Sequence, residues 1–165
     1  MTSAPEPRVV SVEDAGHLRH AIALAAQARA GGNHPFGSIV VAPDGRVVEG
    51  MNSVVTERDP TGHAETNVVR LAARALSHDE LRASTLYTST EPCAMCAGAI
   101  YWSGIGRVVY ALGEDALRDM VPAQDGEPTL ALPCREVFAA GGRPVDVAGP
   151  ALVDEAAAVH DGFWE

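Results

Sequence analysis

A layered α/β domain, with a sheet covered by helices, is the architecture this sequence predicts. Three observations lead to it. The chain has 165 residues, 47% apolar and 21% charged, which suits one compact soluble domain with a sizeable core. Short β-branched runs alternate with stretches of helical periodicity, the pattern of a sheet with helices packed on it. No internal repeat or linker interrupts that alternation, so residues 12–165 are expected to form a single domain behind a loose tail over residues 1–11.

The elements follow in order. Ala15, Leu18, Ile22, Ala25 and Ala26 recur at near-helical spacing, and Gly31-Gly32 ends a helix predicted over 12–31. Ser38 to Ala42 is a β-branched run, Pro43-Asp44-Gly45 a hairpin-type turn, and Arg46 to Met51 the partner strand. Asp59 is the expected N-cap of a second helix, because Pro60 follows it and proline suits a first turn where its missing N–H would be unpaired. Ala64, Val68, Leu71, Ala72 and Ala75 give that helix an apolar face. A strand over Ser84 to Thr88, a helix from Pro92 to about Trp102 and a strand over Arg107 to Tyr110 come next. A helical turn over 114–120, a polar loop over 122–128, a helix from Leu130 to Ala140, a strand from Pro144 to Val147 and a closing helix from Pro150 to Phe163 complete the chain.

Charge narrows the function classes. The formal net charge is −10, and the twelve basic residues are all arginines. Such a surface repels a phosphate backbone, whereas nucleic-acid binders gain affinity by releasing phosphate counterions. Small-molecule chemistry is favoured over a polynucleotide substrate. The first ten residues lack a basic start followed by an apolar block. The longest mostly apolar stretch, near Ala21 to Ala28, falls far short of the roughly 20 residues that span a bilayer. A cytoplasmic protein without membrane association is expected. Three cysteines, an odd number, argue against a disulfide framework, and two of them form Cys93-x-x-Cys96.

The chemistry gathers at two helix starts: His63-Ala64-Glu65, and Pro92-Cys93-Ala94-Met95-Cys96. Zinc binds imidazole and thiolate, and a catalytic zinc keeps three protein ligands and one open position. Cys93 and Cys96, at i and i+3, share a helix face. First-turn N–H groups and the helix dipole there favour thiolates. His63 adds a neutral ligand. Glu65, two residues on, cannot share the histidine's helical face and is suited instead to stand beside the open position and move protons. Two rivals stand beside this reading. A structural zinc would need a fourth ligand, for which Cys134 is the spare; a redox pair would employ the cysteines but leave His63 and Glu65 idle.

H-x-E…P-C-x-x-C is the signature of zinc deaminases, and the chain resembles the cytidine deaminase superfamily. The resemblance is to the branch holding bacterial guanine deaminase, yeast-type cytosine deaminase and tRNA adenosine deaminase, with bacterial guanine deaminase the nearest pattern. It rests on Pro35-Phe36-Gly37-Ser38-Ile39-Val40-Val41, Asn52, Asp59-Pro60-Thr61-Gly62-His63-Ala64-Glu65 and Thr85 to Ile100, and covers residues 12–111 closely. It implies a three-layer α/β/α fold with a central five-stranded mixed sheet, one zinc held by His63, Cys93 and Cys96, Glu65 as catalytic residue, and a homodimer. Carried over by position, it implies substrate contacts from Asn52 and Ala64, with Phe36 a weaker stacking candidate. Asn52 also fits a simple turn after the second strand.

Tyr101-Trp102 resembles guanine deaminase more than the tRNA enzyme, making Trp102 a substrate-site candidate, although tryptophan at a helix end is often core. The resemblance also implies an aromatic C-terminal lid, here Phe163 or Trp164, sometimes exchanged between subunits; a tail packed on its own domain is the alternative. The segment from Leu112 to Pro128 departs from the family pattern, so Glu114, Asp115, Asp119 and Asp125 all remain open as the acidic residue that reads the base. The basic C-terminal helix of tRNA deaminases is missing, since residues 150–165 contain neither Lys nor Arg. The expected activity is zinc-dependent hydrolysis of a free nucleobase, guanine to xanthine and ammonia, with cytosine, another aminopurine, a nucleoside or an amino-triazine as alternatives. A tRNA deaminase and a non-catalytic zinc module are the remaining readings.

Overall fold

The computed structural model describes residues 9–122 and 128–165. Its elements are α1 (Val12–Ala30), β1 (Gly37–Val41), β2 (Val47–Met51), α2 (Val54–Glu57), α3 (Ala64–Ala75), α4 (His78–Arg82), β3 (Thr85–Thr90), α5 (Ala94–Ser103), β4 (Arg107–Leu112), α6 (Glu114–Met120), α7 (Cys134–Ala139), β5 (Asp146–Ala148) and α8 (Val153–Ala158). The five strands form one mixed sheet in the order β2-β1-β3-β4-β5. β1 pairs antiparallel with β2 and β3, while β3, β4 and β5 run parallel. Parallel neighbours need a crossover, and α5 makes the one between β3 and β4.

Alternation along the strands builds a core on each side. Val40, Leu86, Val108 and Tyr110 face α3, α5 and α7 through Val68, Ala72, Ile100 and Phe138. Ile39, Tyr87, Val109 and Ala111 face α1 and α8 through Leu18, Ile22 and Ala156. Two glycines let helices approach these faces closely. A Cβ at Gly37 would lie 2.4 Å from the Ala21 carbonyl oxygen of α1, and one at Gly50 would lie 2.7 Å from the Ala64 carbonyl oxygen of α3.

The first helix is stapled to the sheet by charge. Ser11 and Asp14 form a capping box at its start, and Asp14 also takes two hydrogen bonds from the Arg107 guanidinium at 2.8 and 2.9 Å and one from the Tyr87 hydroxyl at 2.9 Å. Ser11 is therefore part of the helix cap and not of a loose tail; residues 1–8 lie outside the described residues.

Several element boundaries differ from expectation. α3 begins at Ala64 with His63 as N-cap. Asp59 instead accepts hydrogen bonds from the Thr61 N–H and hydroxyl at 2.8 and 2.7 Å, closing a local turn. α5 begins at Ala94 and not at Pro92, with Cys93 as its cap. α7 starts only at Cys134, and α8 is confined to Val153–Ala158. After α8 the chain continues in turns, held where Arg29 of α1 donates to the carbonyls of Val159 and Asp161 at 2.9 and 2.7 Å. Among the described residues, no helix is long and apolar enough to cross a membrane.

Candidate metal centre and active site

α3 and α5 start side by side on one face of the sheet, and the residue at each N-cap carries a donor atom. His63 and Cys93 have extended backbones at these caps, and neither side chain is spent on a capping hydrogen bond. Both are free to face each other. His63 Nδ1 lies 3.6 Å from Cys93 Sγ and 3.5 Å from Cys96 Sγ. A tetrahedral zinc with ordinary Zn–S and Zn–N bonds places such atoms about 3.6 Å apart, so the spacing and the donor set both fit zinc. Thr66 Oγ1 supports Cys96 Sγ at 3.2 Å. Hydrogen bonding from Cys96, against burial and aided by His63, lowers the Cys93 thiol, while the contact with Cys93 and burial raise that of Cys96, so the pair's first proton leaves from Cys93, in the direction a thiolate ligand requires.

Cys134 does not join this group. It is buried in the core on the α7 side, where burial raises its thiol well above the ordinary range. The described residues that could hold a metal ion are His63, Cys93 and Cys96. Three donors leave a coordination position open, which is the catalytic and not the structural pattern.

Glu65 occupies the second position of α3 and is only 5% exposed. Burial pushes its carboxyl up to about 7, with His63 opposing and Cys93 adding to the rise. The Thr88 hydroxyl lies 3.1 Å from Glu65 Oε1 and 3.0 Å from the Thr90 carbonyl, which holds the carboxylate from the sheet side.

His63, Cys93 and Glu65 share the wall of a cavity of about 640 Å³. The model of the cytidine and deoxycytidylate deaminase zinc-binding region matches residues 11–112, which takes in every donor named above. The chain belongs to the cytidine and deoxycytidylate deaminase family. This deaminase is a zinc enzyme of the class that hydrolyses C–N bonds. It is 41% identical over 156 residues to a probable cytosine deaminase of Schizosaccharomyces pombe, covering 94% of this chain and 95% of that one. It is 44% identical over 95 residues to the guanine deaminase of Bacillus subtilis, covering 57% of this chain and 61% of the relative. A solved structure of a mutant NE0047 protein in complex with 8-azaguanine superposes with a TM-score of 0.75 at 29% identity, over 94% of this chain and 85% of that one. A structure from work on tRNA:A34 deaminases superposes with a TM-score of 0.68 at 27% identity, over 88% of this chain and 99% of that one.

The deaminase brings some sequence candidates to the cavity and leaves others away from it. Phe36 and Trp164 line it, together with His34, Val54, Val55 and Leu117. Trp164 Nε1 donates to His160 Nδ1 at 3.1 Å, and its ring meets those of His34 and Phe36 at 5.5 and 6.3 Å. Phe163 sits behind this cap against Trp164 and under the Arg29 guanidinium. Asn52 is buried beside the cavity, with its backbone N–H bonded to the Phe36 carbonyl and its Oδ1 accepting from Val54 N–H. Ala64, the first residue of α3, is fully buried. Trp102 lies at the far end of α5 and is 85% exposed, so within one chain it is not part of the cavity wall.

Of the acidic candidates beyond residue 111, Glu114 is the one in the cavity wall among the described residues; Asp125 lies outside them. Glu114 is 5% exposed, and both its carboxylate oxygens are buried without a hydrogen-bond partner among the described residues. Its nearest cation, Arg118, is 3.9 Å away. Burial, and then the charge of Glu91, raise its carboxyl above the ordinary value. Sequence reasoning named Glu114 without being able to choose it, and missed Thr88, His34 and Glu91 as cavity or support residues. Glu91 had a signal, since it stands directly before Pro92-Cys93.

Proposed function

We propose that this enzyme deaminates a free nucleobase, guanine in the first place, yielding xanthine and ammonia. The observation that carries the reading is the cavity itself. Its volume of about 640 Å³ accommodates a bicyclic base, and its described lining includes two of the metal donors, His63 and Cys93, with Glu65, Glu91 and Glu114 but neither Arg nor Lys. A phosphate-bearing substrate finds no countercharge there, whereas a ring edge rich in N–H groups finds acceptors.

His63, Cys93 and Cys96 hold the zinc in this reading. Zinc bound in such a site lowers the pKa of a coordinated water from 15.7 towards about 7 and so supplies the nucleophile. Glu65 takes the proton released there and passes it to the ring nitrogen beside the carbon under attack. It then delivers the second proton to the departing amine, so water and the amino group exchange for a carbonyl and ammonia. Asn52 and Phe36 position the ring, Trp164 closes over it, and Glu114 accepts from its N–H edge. The protein acts as a homodimer, for which the exposed Trp102 offers interface surface.

An ammonia-release panel of guanine, adenine, cytosine, their nucleosides and aminotriazines tests the reading. Guanine is expected to give the highest kcat/KM. Cytosine is the second reading, favoured by the 41% identity to the fission-yeast relative, and its turnover above guanine would replace the first. Preferential inosine formation in an anticodon stem-loop would overturn both.

A further inference from the structure

Glu91 joins the two halves of the site. Its backbone N–H donates to the Leu112 carbonyl at the end of β4, at 2.7 Å. Its Oε2 accepts from the N–H of Glu114, the first residue of α6, at 2.9 Å. Its Oε1 accepts from the N–H of Cys134, the first residue of α7, at 3.2 Å. Two residues further along the chain stands the metal donor Cys93. Neither α6 nor α7 receives a side-chain cap from its own preceding residue, which is Gly113 in one case and Pro133 in the other. A side chain from the adjacent strand end takes that place at both helix starts.

The chemistry of the bridge requires a carboxylate. The two N–H donors engage separate oxygens, and glutamine would present an NH₂ to one of them. The reason to hold α6 so firmly lies one residue away. Glu114 lines the cavity, and both its carboxylate oxygens are buried without a hydrogen-bond partner among the described residues. A buried acceptor in that condition discriminates between ligands that donate to it and those that do not, but only if its distance from the reacting end is fixed.

We propose that Glu91 is a positioning residue for substrate selection: by bridging the starts of α6 and α7 to the Cys93 loop, it fixes the Glu114 carboxylate relative to the reaction centre. This rests on the reading that Glu114 contacts the base. The site then takes ring substrates that present an N–H group on the edge facing Glu114.

A double-mutant cycle on the full-length, zinc-loaded protein tests it, using Glu91→Gln, Glu114→Gln and the pair, with guanine as substrate and zinc content measured on each. Glu91→Gln is expected to raise KM on the order of tenfold, with a smaller fall in kcat and zinc content retained. In the Glu114→Gln background the same change is expected to add less than about twofold, because its effect passes through Glu114. Equal factors in both backgrounds, or a loss of kcat that tracks lost zinc, would mean a merely structural role and overturn the proposal. If Glu114→Gln alone leaves KM and the guanine-to-cytosine preference unchanged, the reading of Glu114 fails first and the proposal falls with it. Should Glu91→Gln not fold, Glu91→Asp keeps the charge but draws the carboxylate back by one methylene. The same split between backgrounds is then required of it.

Discussion

Replacing Asp14 by asparagine removes the charge that ties α1 to the two strands leading into the site. Asp14 is 5% and Arg107 22% exposed at the side chain, and two short hydrogen bonds join them. In the variant an amide faces a guanidinium that stays largely out of water. Breaking one partner of a fully buried pair costs about 3–5 kcal/mol, and the partial exposure of Arg107 brings the expectation down to about 2–4 kcal/mol. For a domain of this size each kcal/mol moves Tm by roughly 2–4 °C, so a fall of about 4–16 °C is expected. The pH dependence has a defined sign. Hydrogen bonding to Arg107, against burial, holds the Asp14 carboxyl well below the usual carboxylate range. Its contribution is therefore complete above the unfolded value of about 4 and fades as pH falls further. Urea unfolding of both proteins between pH 8 and pH 3 should show a constant stability gap down to about pH 5 that narrows below about pH 4. A gap under about 0.5 kcal/mol at pH 7, or one undiminished at pH 3, would refute the reasoning.

Three further outcomes follow from the same structure. Gly50→Ala places a Cβ 2.7 Å from both the Ala64 carbonyl oxygen and Val68 Cβ. It should cost about 1–3 kcal/mol and lower zinc occupancy by lifting the start of α3, as a chelator-competition titration would reveal. Trp164→Ala removes the ring over the cavity and its bond to His160. Stacking on a base is worth about 1–3 kcal/mol, so steady-state kinetics should show KM for guanine rising roughly 5–150-fold. Glu65→Gln keeps the shape beside Thr88 but cannot carry a proton; kcat should drop about 10²–10⁴-fold with zinc still bound, and undiminished turnover would contradict its role.

The strands and the zinc motif were legible because their signals are local. Ile39-Val40-Val41 and Val108-Val109-Tyr110 are β-branched or aromatic runs, and His63-x-Glu65 with Cys93-x-x-Cys96 fixes donor types and spacing within a few residues. The start of α3 was misplaced for a physical reason. Asp59-Pro60 is a strong helix-start signal, yet Asp59 spends its carboxylate on Thr61, and the helix waits until His63 can serve as cap and donor together. α2 and α4, at four and five residues, are too short to show periodicity. Glu114 could not be picked from its acidic neighbours, because burial without a partner is a property of the packed wall and not of the composition. Likewise Asp14 meets Arg107 across 93 positions and Glu91 meets Cys134 across 43, distances over which no local pattern operates.

The central claim is a zinc held by one histidine and two cysteines with a place left for water. Zinc-edge X-ray absorption on the purified protein addresses it most directly. The account requires one zinc per chain with two sulfur neighbours at about 2.3 Å and two lighter neighbours at about 2.0–2.1 Å, one of them exchangeable. A third sulfur neighbour, a shell closed by four side chains, or a protein that takes up no zinc would contradict it.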